Sequence, residues 1–175
     1  MAQTLKYRHE DDRCYGATGM AIGLVIFDGE RMLDHISVDA EPDEMVALTN
    51  DFYFSGNPSI SAKTAWKRIL ANFNLMSAMV ISNVMSRYIV LDGSNVSREM
   101  KKLISDIVES EADETCSLEH DEVQHLFEKN YKYLDNVFHH SGVQSIAHEF
   151  ASYLKTHRSM TRNEVLEHLH ALGML

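Results

Sequence analysis

From Ser61 onward the apolar side chains return at intervals of three and four. Trp66, Ile69, Leu70, Phe73, Met76, Val80, Val84, Tyr88 and Leu91 keep that spacing, which lines one face of a helix with 3.6 residues per turn. One long helix is expected, stopped at Asp92-Gly93 because glycine enters the left-handed region without a Cβ clash. Its last apolar run, RYIVL, also reads as a strand. Residues 95–111 repeat the helical pattern with Val96, Met100, Leu103, Ile104, Ile107 and Val108. After the acidic stretch ESEADETC, read as a linker, Ser117 is placed to cap a helix over 117–140. Its first turn carries Glu119, Asp121 and Glu122, where carboxylates meet the positive end of the helix dipole. Val123, Leu126, Phe127, Leu134, Val137 and Phe138 form its apolar face. Ser141-Gly142 interrupts the pattern, and Val143, Ile146, Ala147, Phe150 and Leu154 define the next helix. Thr161 with Glu164 spells a capping box that opens a last one over 165–172.

The N-terminal part has a different texture. Between Met20 and Asp39, AIGLVIF and RMLDHISV flank Asp28-Gly29, a dipeptide suited to a two-residue hairpin turn. The first arm is apolar throughout, as for a strand between two layers, and the second alternates, with Met32, His35 or Ile36, and Val38 competing for the inner face. Residues 42–50 suggest a short helix, and DFYFSGNPS a loop turning at Gly56, Asn57 and Pro58. The fold class expected is therefore α+β and mainly helical. An N-terminal β-hairpin (region 16–40) packs on a bundle of about five helices (region 61–172) within one globular domain, 1–175.

Composition narrows the function classes. Eight glycines and two prolines in 175 residues are few against an average near 12%, which favours long helices. A formal charge of −10 repels polyanions, so nucleic acid is disfavoured as a partner. Residues 1–13 lack the apolar run of a signal peptide. The uncharged stretch 69–86 approaches a bilayer span in length, yet Asn72, Asn74, Ser77, Ser82, Asn83 and Ser86 make it a better buried helix than a membrane one. Two isolated cysteines, Cys14 and Cys116, fit a reducing compartment, and a soluble cytoplasmic protein is the expectation.

Ten histidines are the most suggestive chemistry. Glu122 and His125 stand one helical turn apart, the spacing used in duplicate by di-iron bundles, but here it occurs once. His139 lies about 21 Å along the same helix from His125, too far to share an ion. His139 or His140 with His148 and Glu149 is the easier set, because a turn at Ser141-Gly142 folds the helix ends together. These six residues are the candidate ligands, and a divalent metal is the cofactor they would hold. Capping and solvated roles explain the same histidines, since no HExxH motif is present. Cys116 sits among carboxylates that disfavour a thiolate, and Cys14 has no better support. The stretch Gly16-Ala-Thr-Gly19-Met-Ala-Ile-Gly23 precedes an expected strand, the wrong order for a phosphate loop, and reads as backbone punctuation. Met76, Met79 and Met85 read as adaptable core filling.

Three functions follow. The first is a binding or assembly module without an evident catalytic motif. A metal-dependent enzyme using the His/Glu set and a helix-turn-helix regulator built on the C-terminal pair, with Lys155, Arg158 and Arg162, are the alternatives. Whether the chain is an enzyme stays open at this point. The hairpin edge and the patch Phe52-Tyr53-Phe54 leave apolar surface for a second copy, so a symmetric homodimer is expected, while the small-molecule ligand, if any, is unspecified.

Overall fold

The computed structural model describes residues 5–53 and 61–175. Phe54 and the turn expected at Gly56-Asn57-Pro58 lie outside them. The fold is α+β and mainly helical. In chain order the elements are α1 (Glu10–Ile26), β1 (Leu33–Ser37), β2 (Val46–Leu48), α2 (Asn50–Tyr53), α3 (Ala62–Met85), α4 (Arg98–Thr115), α5 (His120–His139), α6 (Ser141–His157), β3 (Ser159–Thr161) and α7 (Arg162–Leu169).

The largest departure from the sequence reading is the first arm of the expected hairpin, which is the C-terminal half of α1. The cause lies in its small residues. Gly16, Gly19 and Gly23 form a stripe at helical spacing that meets Asn83, Ser82 and Ser86 of the α3 region with no room for a Cβ. Burial on nearly all sides removes the polar stripe that would betray a helix, so the run looks like an inner strand. Asp28-Gly29 stops the helix instead of turning a hairpin. Asp28 takes a positive φ of 56°, Gly29 N donates to the Leu24 carbonyl at 2.8 Å and Asp28 N to the Val25 carbonyl at 3.1 Å, the paired bonds of a Schellman cap.

The second arm is a strand, and its partners come later in the chain. β1 is central in the order β2-β1-β3, antiparallel to both neighbours. A bulge between Leu33 and His35 shifts the register, so that Leu33 and Ile36, three apart, both point inward while His35 faces out. Residues 46–48 are thus a strand where a short helix was expected, and Ser159–Thr161 is a strand where only a connector was expected.

The helical pattern from Ser61 holds more closely. α3 begins at the Ser61 cap, and its segment from Phe73 to Met85 is buried through most of its circumference. RYIVL is neither α-helix nor strand: Ser86–Leu91 continues α3 in wide π-helical turns, with Asp92 N bonded to the Arg87 carbonyl and Gly93 at φ 63° ending it. Most of the expected acidic linker is the last part of α4. Glu119, two residues beyond the expected Ser117, caps α5 in a capping box with Glu122. The apolar stripes of α4, α5 and α6 bury Ile104 and Val108, Phe127 and Leu134, and Ala147 and Phe150 in one cluster around α1 and α3. The helix 62–91 is long and apolar enough to cross a membrane, with 61% of its most apolar window buried within the fold.

Candidate functional site

The six proposed metal ligands do not gather. All are exposed, and several are committed locally. Glu122 accepts from Glu119 N at 3.0 Å as part of the α5 cap, and His140 Nδ1 caps α6 by accepting from Gly142 N at 3.1 Å. His139 Nδ1 is 2.8 Å from the Asp135 carbonyl. His148 Nδ1 lies 2.6 Å from the Tyr15 hydroxyl, and burial, then the negative charge of Asp11, push that phenol's pKa up. Glu122 and His125 do share an open depression of about 690 Å³ between α3 and α5, beside Leu70 and Leu126. Among the described residues no three His, Cys, Asp or Glu side chains are grouped to hold a metal ion. Both cysteines are buried, and burial pushes the Cys14 thiol up, away from nucleophilic use.

Two of the three basic groups of the C-terminal pair are also engaged. Lys155 pairs with Asp11 at 2.7 Å, and Arg158 pairs with Asp39 at 2.5 Å and with Glu10. Those pairs neutralise much of the local positive charge that a phosphate backbone would need.

A buried polar knot ties the N-terminal segment to α3. Arg87, 2% exposed, holds the fully buried Asp12 through Nε at 2.8 Å and Nη2 at 2.7 Å, and also donates to the Lys6 carbonyl. Arg8 adds a second cation on Asp12 at 2.7 Å. Tyr7 lies under the Arg87 guanidinium at 4.8 Å and accepts from Asn83 Nδ2 at 2.8 Å. Burial alone would raise the Asp12 carboxyl, but the hydrogen bonds from Arg87 and Arg8 outweigh it and hold the pKa well below the usual carboxylate range. This knot fixes Leu5–His9, and with it one end of the groove described next.

Along α3, opposite the α5 side, two open depressions of about 340 and 370 Å³ run into each other. They share Phe52, Tyr53, Met76 and Glu111. Met20, Met79, Val80 and Ile107 extend the apolar floor, and Leu5 and Pro42 close the end held by the polar knot. Asn72 Nδ2 donates to the Phe52 carbonyl at 2.7 Å, which sets α2 and its edge-to-face Phe52–Tyr53 pair against α3. Tyr53 is 68% exposed at the mouth. The rim carries Asp43, Glu111 and Glu114, and among the described residues no Lys, Arg or His lines either depression. Glu111 is half-buried, and burial, then the charge of Glu114, push its carboxyl pKa up.

The sequence reading did not find this groove, because Met76 and Met79 were assigned to core filling and Glu111 to the edge of a solvated linker. A signal was present in the charges: residues 103–128 contain no Lys or Arg, and of the α4 carboxylates only Glu109, beside His120, has a salt-bridge partner among the described residues. Comparison with family models, with curated proteins and with solved structures finds no match.

Proposed function

We propose that this chain is a binding and assembly module that takes a basic amphipathic helical segment into the methionine-lined groove beside α3. One observation carries the reading: a half-buried carboxylate, Glu111, stands with a second one, Glu114, on the rim of an apolar groove that no cation among the described residues lines. A buried charge is ordinarily paired, and a perturbed carboxyl in a cleft marks a place where a ligand supplies the missing partner. Unbranched, polarisable methionine side chains adapt to varied apolar faces, and an apolar helix face in such a groove is a common mode of segment recognition.

The test is titration of a fluorescent leucine/lysine amphipathic peptide, with a leucine/glutamate peptide of the same pattern as control. The basic peptide is expected to bind and the acidic one to bind at least about ten-fold more weakly. Equal affinity for both, or no binding of either, overturns the reading.

Glu111→Gln separates function from stability. A carboxyl whose folded pKa is raised makes the fold less stable as pH rises through the window between its unfolded and folded values, so at neutral pH its ionisation opposes folding. Glutamine removes that penalty, and the variant is expected to melt slightly higher while binding the basic peptide about ten-fold more weakly. Wild-type affinity is expected to fall as pH drops through the raised Glu111 pKa, and the variant to lack that step. Binding unchanged by the substitution removes Glu111 from the site.

A further inference from the structure

We infer that the cleft between α3 and α5 is a second binding site, which takes a short polypeptide segment in extended conformation by its main-chain amides. It lies on the face of α3 away from the methionine groove and does not depend on that groove. The depression of about 690 Å³ that holds Glu122 and His125 runs into one of about 350 Å³, the two sharing Asn74 and Leu126. At the join, Asn130 Nδ2 donates to Asn74 Oδ1 at 2.7 Å. Among the described residues this is the one hydrogen bond that either side-chain amide makes. Asn130 is 4% exposed and shares the buried stripe of α5 with Val123, Phe127, Leu134 and Phe138, all apolar. A nearly buried carboxamide whose carbonyl is unpaired costs stability, and an apolar residue would fill that stripe better. A ligand that supplies the missing bonds removes the penalty.

The unpaired groups define the ligand. Asn74 Nδ2 is a free donor and Asn130 Oδ1 a free acceptor, both on residues that line the smaller depression. One residue of an extended strand directs its own N–H and C=O to the same side, the complement of that pair. The length of the cleft agrees. From Asp121 to Tyr133 it follows α5 for about 18 Å at 1.5 Å per residue, which an extended chain covers in about five residues. A compact ring carrying the same donor and acceptor would fill only the join. Apolar side chains before and after the bonded residue meet Leu70 and Leu118 at one end and the edge-to-face pair of Phe27 and Tyr133 at the other. Tyr133 is 51% exposed there, an uncovered aromatic surface for such a side chain.

A nuclear magnetic resonance titration of the whole chain tests this. As acetyl-leucine methylamide is added, the side-chain amide signals of Asn74 and Asn130 are expected to move together. The analogue in which an ester oxygen replaces the leucine N–H is expected to bind about ten-fold more weakly, because Asn130 Oδ1 is again left without a donor. Acetyl-leucine-serine-leucine methylamide reaches farther along the cleft and is expected to bind at least about ten-fold more tightly than the single residue. Asn74→Ala with Asn130→Leu keeps close to the volume of the pair while removing both amides. That double variant is expected to melt at or above wild type and to bind the longer probe at least about ten-fold more weakly. Amide signals that stay still, equal affinity for amide and ester, no gain with length, or undiminished binding by the double variant overturns the inference. A double variant that melts well below wild type overturns it too, since the pair then serves the fold. The leucine/lysine peptide of the methionine groove is expected to bind the double variant as it binds wild type, so the two sites stand or fall separately.

Discussion

Asp12→Ala is expected to lower the folding free energy by about 3–5 kcal/mol, the largest loss from any single side chain outside the apolar core. The Arg87 guanidinium stays behind, 2% exposed, with the Lys6 carbonyl and a long 3.4 Å contact to Asn83 as its remaining polar partners. Against a total stability of about 5–15 kcal/mol such a loss brings the chain close to unfolding at body temperature. Asp12→Leu combined with Arg87→Met is expected to lose much less, since most of the penalty belongs to the orphaned charge and not to the pair. Arg87→Lys recovers little, because an ammonium cannot make the two-pronged contact with both Asp12 oxygens. Urea unfolding of the four proteins decides the matter, and a double variant no more stable than Asp12→Ala would refute it. The pH dependence has a definite sign. A folded pKa held below the unfolded one gives stability that is complete above about pH 4 and fades as pH falls. Wild type is expected to show that acid limb and Asp12→Asn to lack it. The knot also anchors Leu5 at the groove's end, so the single variants are expected to weaken segment binding before they unfold.

How far this architecture can be read from the chain depends on whether a helix keeps a wet side. α4, α5 and α6 do, and Ile104, Val108, Phe127, Leu134, Ala147 and Phe150 were all legible as an inner face before any coordinates. Thr161 and Glu164 form the capping box their spacing implies. α1 has no such contrast over 16–24, and Asp28-Gly29 serves a Schellman cap as well as a hairpin turn, so a helix was taken for a strand. β3 is three residues long and exists only because β1 lies beside it, an arrangement that no local pattern encodes. The candidate ligands stand apart for a related reason. Spacing along one helix placed Glu122 near His125, but which histidines meet across helices depends on packing angles, and here His140 and Glu122 cap helix ends instead. The groove residues were each visible as apolar or acidic, and only the fold brings Met20, Phe52, Met76 and Glu111 to one place.

Gly19→Ala is expected to destabilise the protein by about 1–2 kcal/mol, although alanine is the better helix former. Two effects of opposite sign compete. Inside a helix the exchange of glycine for alanine is worth about 0.8–1.0 kcal/mol in favour of the variant. Against it, a Cβ at position 19 would stand 2.1 Å from the Ser82 carbonyl oxygen and 2.6 Å from the Ser86 Cβ. The nearer of these is backbone of α3, held by its own helical bonds and packed on every side, so it cannot rotate away as a flexible side chain would. Relief requires moving α1 off α3, which loosens contacts along the whole glycine stripe, and overpacking of this kind costs about 1–3 kcal/mol or more. Gly23→Ala meets the Ser82 Oγ at 2.3 Å, the Ser82 Cβ at 2.8 Å and the Ala78 carbonyl at 3.1 Å, and is expected to be milder, because its nearest obstacle is a hydroxyl that can rotate and its nearest backbone atom is 1.0 Å farther off than at position 19. That difference offers a rescue. Among the described residues the buried Ser82 hydroxyl has no hydrogen-bond partner, so Ser82→Ala removes the nearest obstacle without stranding any other group, while the Cβ at 2.8 Å and the Ala78 carbonyl at 3.1 Å remain and make the rescue partial. The pair Gly23→Ala with Ser82→Ala is expected to regain stability relative to Gly23→Ala alone, while Gly19→Ala with Ser82→Ala regains nothing, since the Ser82 carbonyl remains. A thermal melt in which Gly19→Ala matches or exceeds wild type would mean that helix propensity governs this position, and that α1 and α3 are not held at the separation their small residues imply.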